Sequence, residues 1–384
     1  MKKILFDKQT IIEGKGSYKR IGEILKELGV KKYMLVCDSS FQYLNIKDSF
    51  AELNVPHVVF SGFTPNPLYE DVCQGVELFR ESGCDTIVAV GGGSAIDVAK
   101  CIKLYCKMDS SVNYLTQEYK ETGIPLIAVP TTAGTGSEST RFAVIYFEGK
   151  KQSVAHESII PNYAVLEPSV LKTLPVYQKK CTVLDALCQG MESWWSVNSN
   201  AESREYSKAA IETIIKYGDE YIFENTDESA EKMMFAANLA GRAINITQTT
   251  AAHAMSYKLT SLYGIPHGHA VAVCLAPLWR YMQKNTELCI DGRGKKHLEC
   301  VFDGISRALG ADSWSGGSDI FENILIRWDM KSPESKDLSQ DMDMLCSSVN
   351  PVRLKNNPVG LSDEAIKELY SEIVRDGKER REEI

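Results

Sequence analysis

Three of the six histidines in this 384-residue chain fall within seventeen positions: His253, His267 and His269. His253 lies in a helix-compatible run, and His267 follows Gly264 and Pro266, so a helix and the turn beyond it could bring two imidazoles together. Neutral imidazole is the commonest protein ligand for divalent transition metals. Upstream, in Asp185-Ala186-Leu187-Cys188-Gln189-Gly190-Met191-Glu192, Asp185 and Gln189 stand four apart. On a helix they share a face, one turn apart, and present a carboxylate oxygen beside an amide oxygen. Taken singly, an incidental helix end and an ordinary polar helix face explain the two segments as well.

The first half supplies a different chemistry. Thr86–Val90 is short, apolar and β-branched, bounded by Gly83 and Gly91, and reads as a buried strand. It runs into Gly91-Gly92-Gly93-Ser94-Ala95-Ile96-Asp97-Val98-Ala99-Lys100. The glycines let backbone approach a ligand closely, and Ser94 with Asp97 is expected as an N-cap pair opening a helix. A helix N-terminus behind such a turn favours a pyrophosphate through its free N–H groups and dipole. The G-x-G-x-x-G fingerprint is absent. A second unit follows, the strand Pro125–Pro130 and then Thr131-Thr132-Ala133-Gly134-Thr135-Gly136-Ser137-Glu138. Small hydroxyl residues and glycines after a strand suit cofactor contacts, and equally suit a plain tight turn.

Together, the G-G-G-S-x-x-D-x-A-K turn, the P-T-T-A-G-T-G-S-E turn, the D-A-L-x-x-x-x-E helix and the H-x(13)-H segment resemble the iron-containing (group III) alcohol dehydrogenase family over nearly the whole chain. The resemblance implies NAD(P)-dependent interconversion of an alcohol with an aldehyde or ketone, and an architecture shared with dehydroquinate synthases. It also implies a divalent metal, iron(II) first and zinc or manganese as alternatives, held by one Asp and three His. Asp185, His253 and His267 match that set, while Gln189 stands at the remaining ligand position. An amide oxygen is a weaker and harder donor than imidazole, so the metal should be held less tightly. Variants with Gln at this position resemble reductases of phosphonoacetaldehyde and related small anionic aldehydes.

The elements that must position these groups change character along the chain. Tyr33–Cys37 and His57–Phe60 read as strands, and residues 18–28 and 69–82 as helices stopped by Gly29 and Gly83. Such alternation predicts a parallel sheet covered by helices. Beyond Leu174-Pro175 come long amphipathic runs: 203–217, 228–246 and 363–381. The expected architecture is an α/β dinucleotide-binding domain over residues 1–178 followed by an all-α metal-binding catalytic domain over 179–384. The Lys378–Glu383 tail reads as a solvated helix end.

Composition narrows the partners. A formal net charge of −8 argues against nucleic acid and anionic membranes, and no apolar run is long enough to span a bilayer. Eleven cysteines without a C-x-x-C pair read as reduced thiols. With no secretory signal in view, the chain is expected in the cytoplasm, as a homodimer or larger homo-oligomer acting on a small molecule.

The remaining site residues follow from the implied chemistry. Asp38 closes the first parallel strand, where an acidic residue can accept from a ribose 2′-hydroxyl and repel a 2′-phosphate, which favours NAD over NADP. Gly92, Gly93, Ser94, Asp97, Thr131, Thr132, Thr135 and Ser137 are the cofactor candidates of the two turns. Lys151, or its neighbour Lys150, resembles the family lysine at the ribose. With His267 at the reacting centre, Tyr257 holds the position where the family often has a histidine and could donate a proton to the developing alkoxide; a helix-face aromatic is the plainer reading. For an anionic substrate, Arg141, Lys258 and His269 are the cationic candidates. Expected substrates are phosphonoacetaldehyde, then sulfoacetaldehyde or a short neutral alcohol. A dehydroquinate synthase-like lyase and a non-catalytic nucleotide-binding protein are the readings from other classes.

Overall fold

The computed structural model describes residues 1–6, 8–349 and 351–376; the Lys378–Glu383 tail lies outside them. The chain forms two compact units, Met1–Pro175 with Phe223–Gly241, and Val176–Ile222 with the chain from Arg242 onward. A single break at residue 178 does not describe this, because Phe223–Gly241 returns to the first unit.

The first unit is built on a seven-stranded sheet. Its strands are β1 (Lys2–Phe6), β2 (Gln9–Glu13), β3 (Tyr33–Cys37), β4 (His57–Phe60), β5 (Thr86–Gly91) and β6 (Leu126–Pro130), with β7 (Phe142–Phe147) and β8 (Lys150–Ala155) forming a separate hairpin, and β9 (Tyr163–Leu166) returning to the sheet. The sheet order is β1-β2-β9-β6-β5-β3-β4. Only β1 against β2 runs antiparallel; the other pairs are parallel. Every residue of β3, β5 and β6 is buried, as parallel strands covered on both faces require. The β7–β8 hairpin turns on Glu148 and Gly149, both at positive φ, the geometry that matches the twist of paired strands.

Helices α1 (Ile21–Glu27), α2 (Lys47–Ala51), α3 (Tyr69–Ser82) and α4 (Gly93–Tyr105) connect these strands. Gly83, at φ 68°, ends α3 in the left-handed conformation that favours glycine. The order of connections matters for the site. From β3 the chain goes outward to β4 and then returns to the other side of β3 as β5. The carboxyl ends of β3 and β5 therefore flank a topological switch point, where open α/β sheets bind ligands. Those ends carry Asp38 and Gly91.

The second unit is helical, with α5 (Val176–Trp195), α6 (Ala201–Asp219), α8 (Ala251–Tyr263), α9 (His267–Lys284) and shorter helices; α7 (Asp227–Thr247) carries the chain into it. Its described strand content is a two-residue pairing of Glu334–Ser335 with Arg375–Asp376 and one isolated bridge. Helix α5 is buried at every position from Val183 to Trp195 and packs against α6 and α9. A helix buried all round is central to its unit, and Asp185, Gln189 and Glu192 lie on it. Polar groups are costly in such a place unless satisfied.

Candidate active site

Asp185 from α5, His253 from α8 and His267 from α9 come together, with one donor atom from each within 4.8 Å of the others. His253 Nε2 lies 3.3 Å from Asp185 Oδ1. The approach of α9 to α5 depends on Gly268: a Cβ there would lie 1.9 Å from the Cys181 carbonyl oxygen and 2.9 Å from Asp185 Cβ. The glycine after His267 is therefore what allows that histidine to stand beside Asp185. Among the described residues this is a donor set of two imidazoles and one carboxylate that could hold a metal ion, the mixture that suits iron, zinc or manganese. The geometry fits the metal that the resemblance implied.

Glu192, seven residues after Asp185 on the same helix face, does more than close the motif. It is fully buried, and its Oε1 accepts from Thr250 N at 3.0 Å, Thr250 Oγ1 at 2.8 Å and His253 N at 3.2 Å. Its Oε2 accepts from His253 Nδ1. A carboxylate on Nδ1 leaves Nε2 as the nitrogen aimed at Asp185 and the metal position, the arrangement that fixes a ligand's tautomer and ring orientation. Burial alone would lift the Asp185 carboxyl, but hydrogen bonds from His253 and Gln189 and the His267 and His253 charges hold it below the usual range. For Glu192 burial is likewise outweighed, chiefly by His253. Between these carboxylates, and against its burial, the His253 imidazole is pushed up to about 10.

Gln189 is buried, and its side chain hydrogen-bonds Asp185. Tyr257 stacks on His267, ring centroids 5.6 Å apart and planes 7° apart. Lys258 follows it, partly buried and in no ion pair among the described residues. His269 has other work. Its Nδ1 pairs with Tyr177 Oη at 2.8 Å and its Nε2 with the Lys331 carbonyl at 2.9 Å. Nε2–H donates to the carbonyl and Nδ1 accepts from the phenol, so both nitrogens of a neutral ring are used, and burial holds the pKa down. A ring so engaged is not an anion clamp. Arg141, another of the three expected clamps, pairs its guanidinium with Glu157 Oε1 at 2.6 Å.

In the first unit the two glycine-rich turns lie against each other. The Thr131 N–H donates to the Gly91 carbonyl at 3.0 Å. A Cβ on Gly93 would lie 2.9 Å from the Thr135 side chain, while one on Gly92 would meet Thr132 at an ordinary 3.6 Å. Gly136, at φ 58°, approaches Gly241 of α7 so closely that a Cβ would lie 2.5 Å from its Cα. Asp38 accepts from Ser40 N at 2.8 Å, and its other oxygen lies 3.3 Å from where a Gly91 Cβ would be. The carboxylate thus stands at the mouth of the first turn.

The expected N-cap pair is not formed. Gly92 occupies the cap of α4 without a side-chain bond, and Ser94 lies inside the first turn. Asp97 instead accepts from Ser137 Oγ at 2.6 Å and from Val144 N at 2.9 Å. Burial lifts the Asp97 carboxyl despite the nearby Lys100 and Lys151. Lys151 is the lysine whose charge reaches Asp97; Lys150 is exposed.

A parallel sheet with a glycine-rich switch point in one unit, and an Asp–His–His donor set among the helices of the other, define a nicotinamide- and metal-linked oxidoreductase. The chain belongs to the iron-containing alcohol dehydrogenase family: that family's model matches residues 8–168, and the model of the family's C-terminal domain matches 180–374. The cofactors that go with this family are NAD and a divalent metal. Choline dehydrogenase of Bacillus subtilis is 30% identical over 95% of this chain and 94% of its own length. Phosphonoacetaldehyde reductase of Streptomyces viridochromogenes is 32% identical over 69% of this chain and 70% of its own. Among solved structures, sulfoacetaldehyde reductase from Bifidobacterium kashiwanohense in complex with NAD+ superposes with a TM-score of 0.83 at 28% identity, covering 96% of this chain and 99% of that one. No helix among the described residues is long and apolar enough to cross a membrane.

Proposed function

We propose that the protein reduces a short aldehyde bearing a phosphonate or sulfonate to the corresponding alcohol, with NADH as hydride donor. The observation that carries the reading is Lys258, an ammonium in no ion pair among the described residues, placed directly after the tyrosine that stacks on His267. The relatives named for phosphonoacetaldehyde and sulfoacetaldehyde support the same substrate class. A divalent metal bound here polarises a carbonyl oxygen as a Lewis acid, and NADH supplies the hydride.

This chain's residues do the rest. Asp185, His253 and His267 are the ligands, Glu192 orients His253, and Gln189 acts on the Asp185 carboxylate. Tyr257 Oη is the group that gives a proton to the developing alkoxide. Of the three cationic candidates Arg141, Lys258 and His269, Lys258 attracts the anionic end of the substrate. In the first unit, the α4 N-terminus and the two turns take the pyrophosphate, and Asp38 takes the ribose 2′-hydroxyl.

The test is an NADH-coupled panel of phosphonoacetaldehyde, sulfoacetaldehyde, propanal and betaine aldehyde on wild type and Lys258→Ala. A charge-assisted contact is worth about 1.5–3 kcal/mol, so the variant should lose roughly 10- to 150-fold in kcat/KM for the anionic aldehydes and little for propanal. A wild type that prefers propanal or betaine aldehyde would overturn the anionic reading and leave a general or choline-type dehydrogenase.

A further inference from the structure

Lys100 has no part in the chemistry above, yet it is wholly buried, a rare state for a lysine. Its ammonium lies 2.9 Å from Ser137 Oγ, 3.0 Å from Thr140 Oγ1 and 2.7 Å from the Phe142 carbonyl oxygen. An ammonium has three donors, and these three acceptors match them. All three belong to the end of the second glycine turn or the segment that leaves it, while Lys100 itself sits on α4, which leaves the first. Asp97, one helical turn before Lys100, reaches the same segment through Ser137 Oγ and the Val144 N–H. Its Oδ1 is 4.0 Å from the Lys100 ammonium, close enough to balance the buried charge.

We infer that Lys100 is a positioning residue for dinucleotide binding: a buried cationic strut that ties the first glycine turn to the second and sets the surface the cofactor lies on. An apolar side chain of similar length would fill this space without the cost of desolvating a charge. It would not hold three acceptors on the facing segment. Gly93 against Thr135 leaves no slack between the turns, so a shift of the 137–142 segment moves the backbone proposed to take the pyrophosphate. Asp97 and Ser137, expected from the sequence to touch the cofactor, hydrogen-bond within this tie.

The inference rests on the two turns being the dinucleotide site, and the experiment separates the two. NADH affinity is measured by fluorescence titration of the whole protein, with metal content measured in parallel, for Lys100→Met, Thr140→Val, the double variant and Gly93→Val. Lys100→Met should weaken NADH binding about tenfold or more, and Thr140→Val about threefold, with metal content unchanged. The double variant should be no worse than Lys100→Met, because both act through one contact. Affinity within about twofold of wild type in folded Lys100→Met, or additive losses in the double variant, would overturn the strut. If Lys100→Met does not fold, unchanged affinity in Thr140→Val does so. If Gly93→Val binds NADH normally, the dinucleotide reading fails and the strut with it; if Gly93→Val fails to bind while Lys100→Met binds normally, the strut alone is wrong.

Discussion

The two halves of this protein build their sites from different materials. In the first unit the proposed cofactor surface is backbone: glycines, a helix N-terminus and small hydroxyl residues at the carboxyl ends of β3, β5 and β6. In the helical unit the proposed metal position is side chains, drawn from α5, α8 and α9, each of which must be set to within a fraction of an ångström. A backbone site is written in short contiguous motifs, because one strand-and-turn carries it. A side-chain site spread over three helices is set by packing, and its supports are scattered through the sequence. The first kind should erode gradually under mutation, whereas the second should fail at once where two helices touch.

The largest effect is expected at Gly268, which tests the side-chain half. A methyl group there meets the Cys181 carbonyl at 1.9 Å, and backbone cannot rotate away as a side chain would. Gly268→Ala must move α9 from α5, at an overpacking cost of about 3 kcal/mol. His267 moves with it. The purified variant should hold less than about a tenth of the wild-type metal by elemental analysis, and its urea midpoint should fall. Wild-type metal content in this variant would show that the site does not depend on the close approach.

A smaller and more selective effect is expected in the backbone half. Asp38 lies beside the first turn without holding it together, so Asp38→Gly should leave the fold and the metal intact. It should raise KM for NADH and lower KM for NADPH, shifting the preference ratio by about tenfold or more as the acceptor and its negative charge both go. An unchanged ratio in steady-state assays with both cofactors would remove Asp38 from the ribose position.

Sequence alone reached different depths in the two halves. The strands of residues 33–37 and 57–60 were legible to the residue, because period and glycine stops are local signals. The strands of 2–6, 9–13 and 163–166 and the hairpin of 142–155 were not read, although Phe142–Phe147 and Tyr163–Leu166 are continuous apolar runs. Asp185, His253 and His267 stood out by residue type, and their grouping as candidate ligands came from the family resemblance. Glu192 was visible only as the end of a motif, because its role is a contact across 61 residues to His253. Gly268 carried no signal at all, as nothing local marks a glycine that faces another helix. The misreadings share a cause. Ser94 as an N-cap and His269 as an anion clamp were inferred from what those side chains could do, and packing gave the cap to Gly92 and His269 to Tyr177 and Lys331.

The smallest expected effect concerns pH and comes from the buried strut. Burial is the main influence on Lys100, against Asp97, Glu138 and Cys101, and its pKa is pulled down to about 8. Lys151 faces the same cluster through Asp97. In the unfolded chain a lysine keeps its proton to about 10.4. Between about pH 8 and that value the unfolded chain therefore holds a proton that the folded protein has released, so stability from this group rises with pH. Below pH 8 both states are protonated, and the cost of the buried charge is present in full. Lys100→Met lacks this titration, while every other cysteine, tyrosine and lysine is common to both proteins. The urea midpoint of wild type relative to Lys100→Met should accordingly rise between pH 7.5 and pH 9.5, by a shift that is modest beside the loss at Gly268. A difference that stays flat, or falls, across that range would mean that Lys100 keeps its proton in the fold, held more strongly by Asp97 than burial opposes.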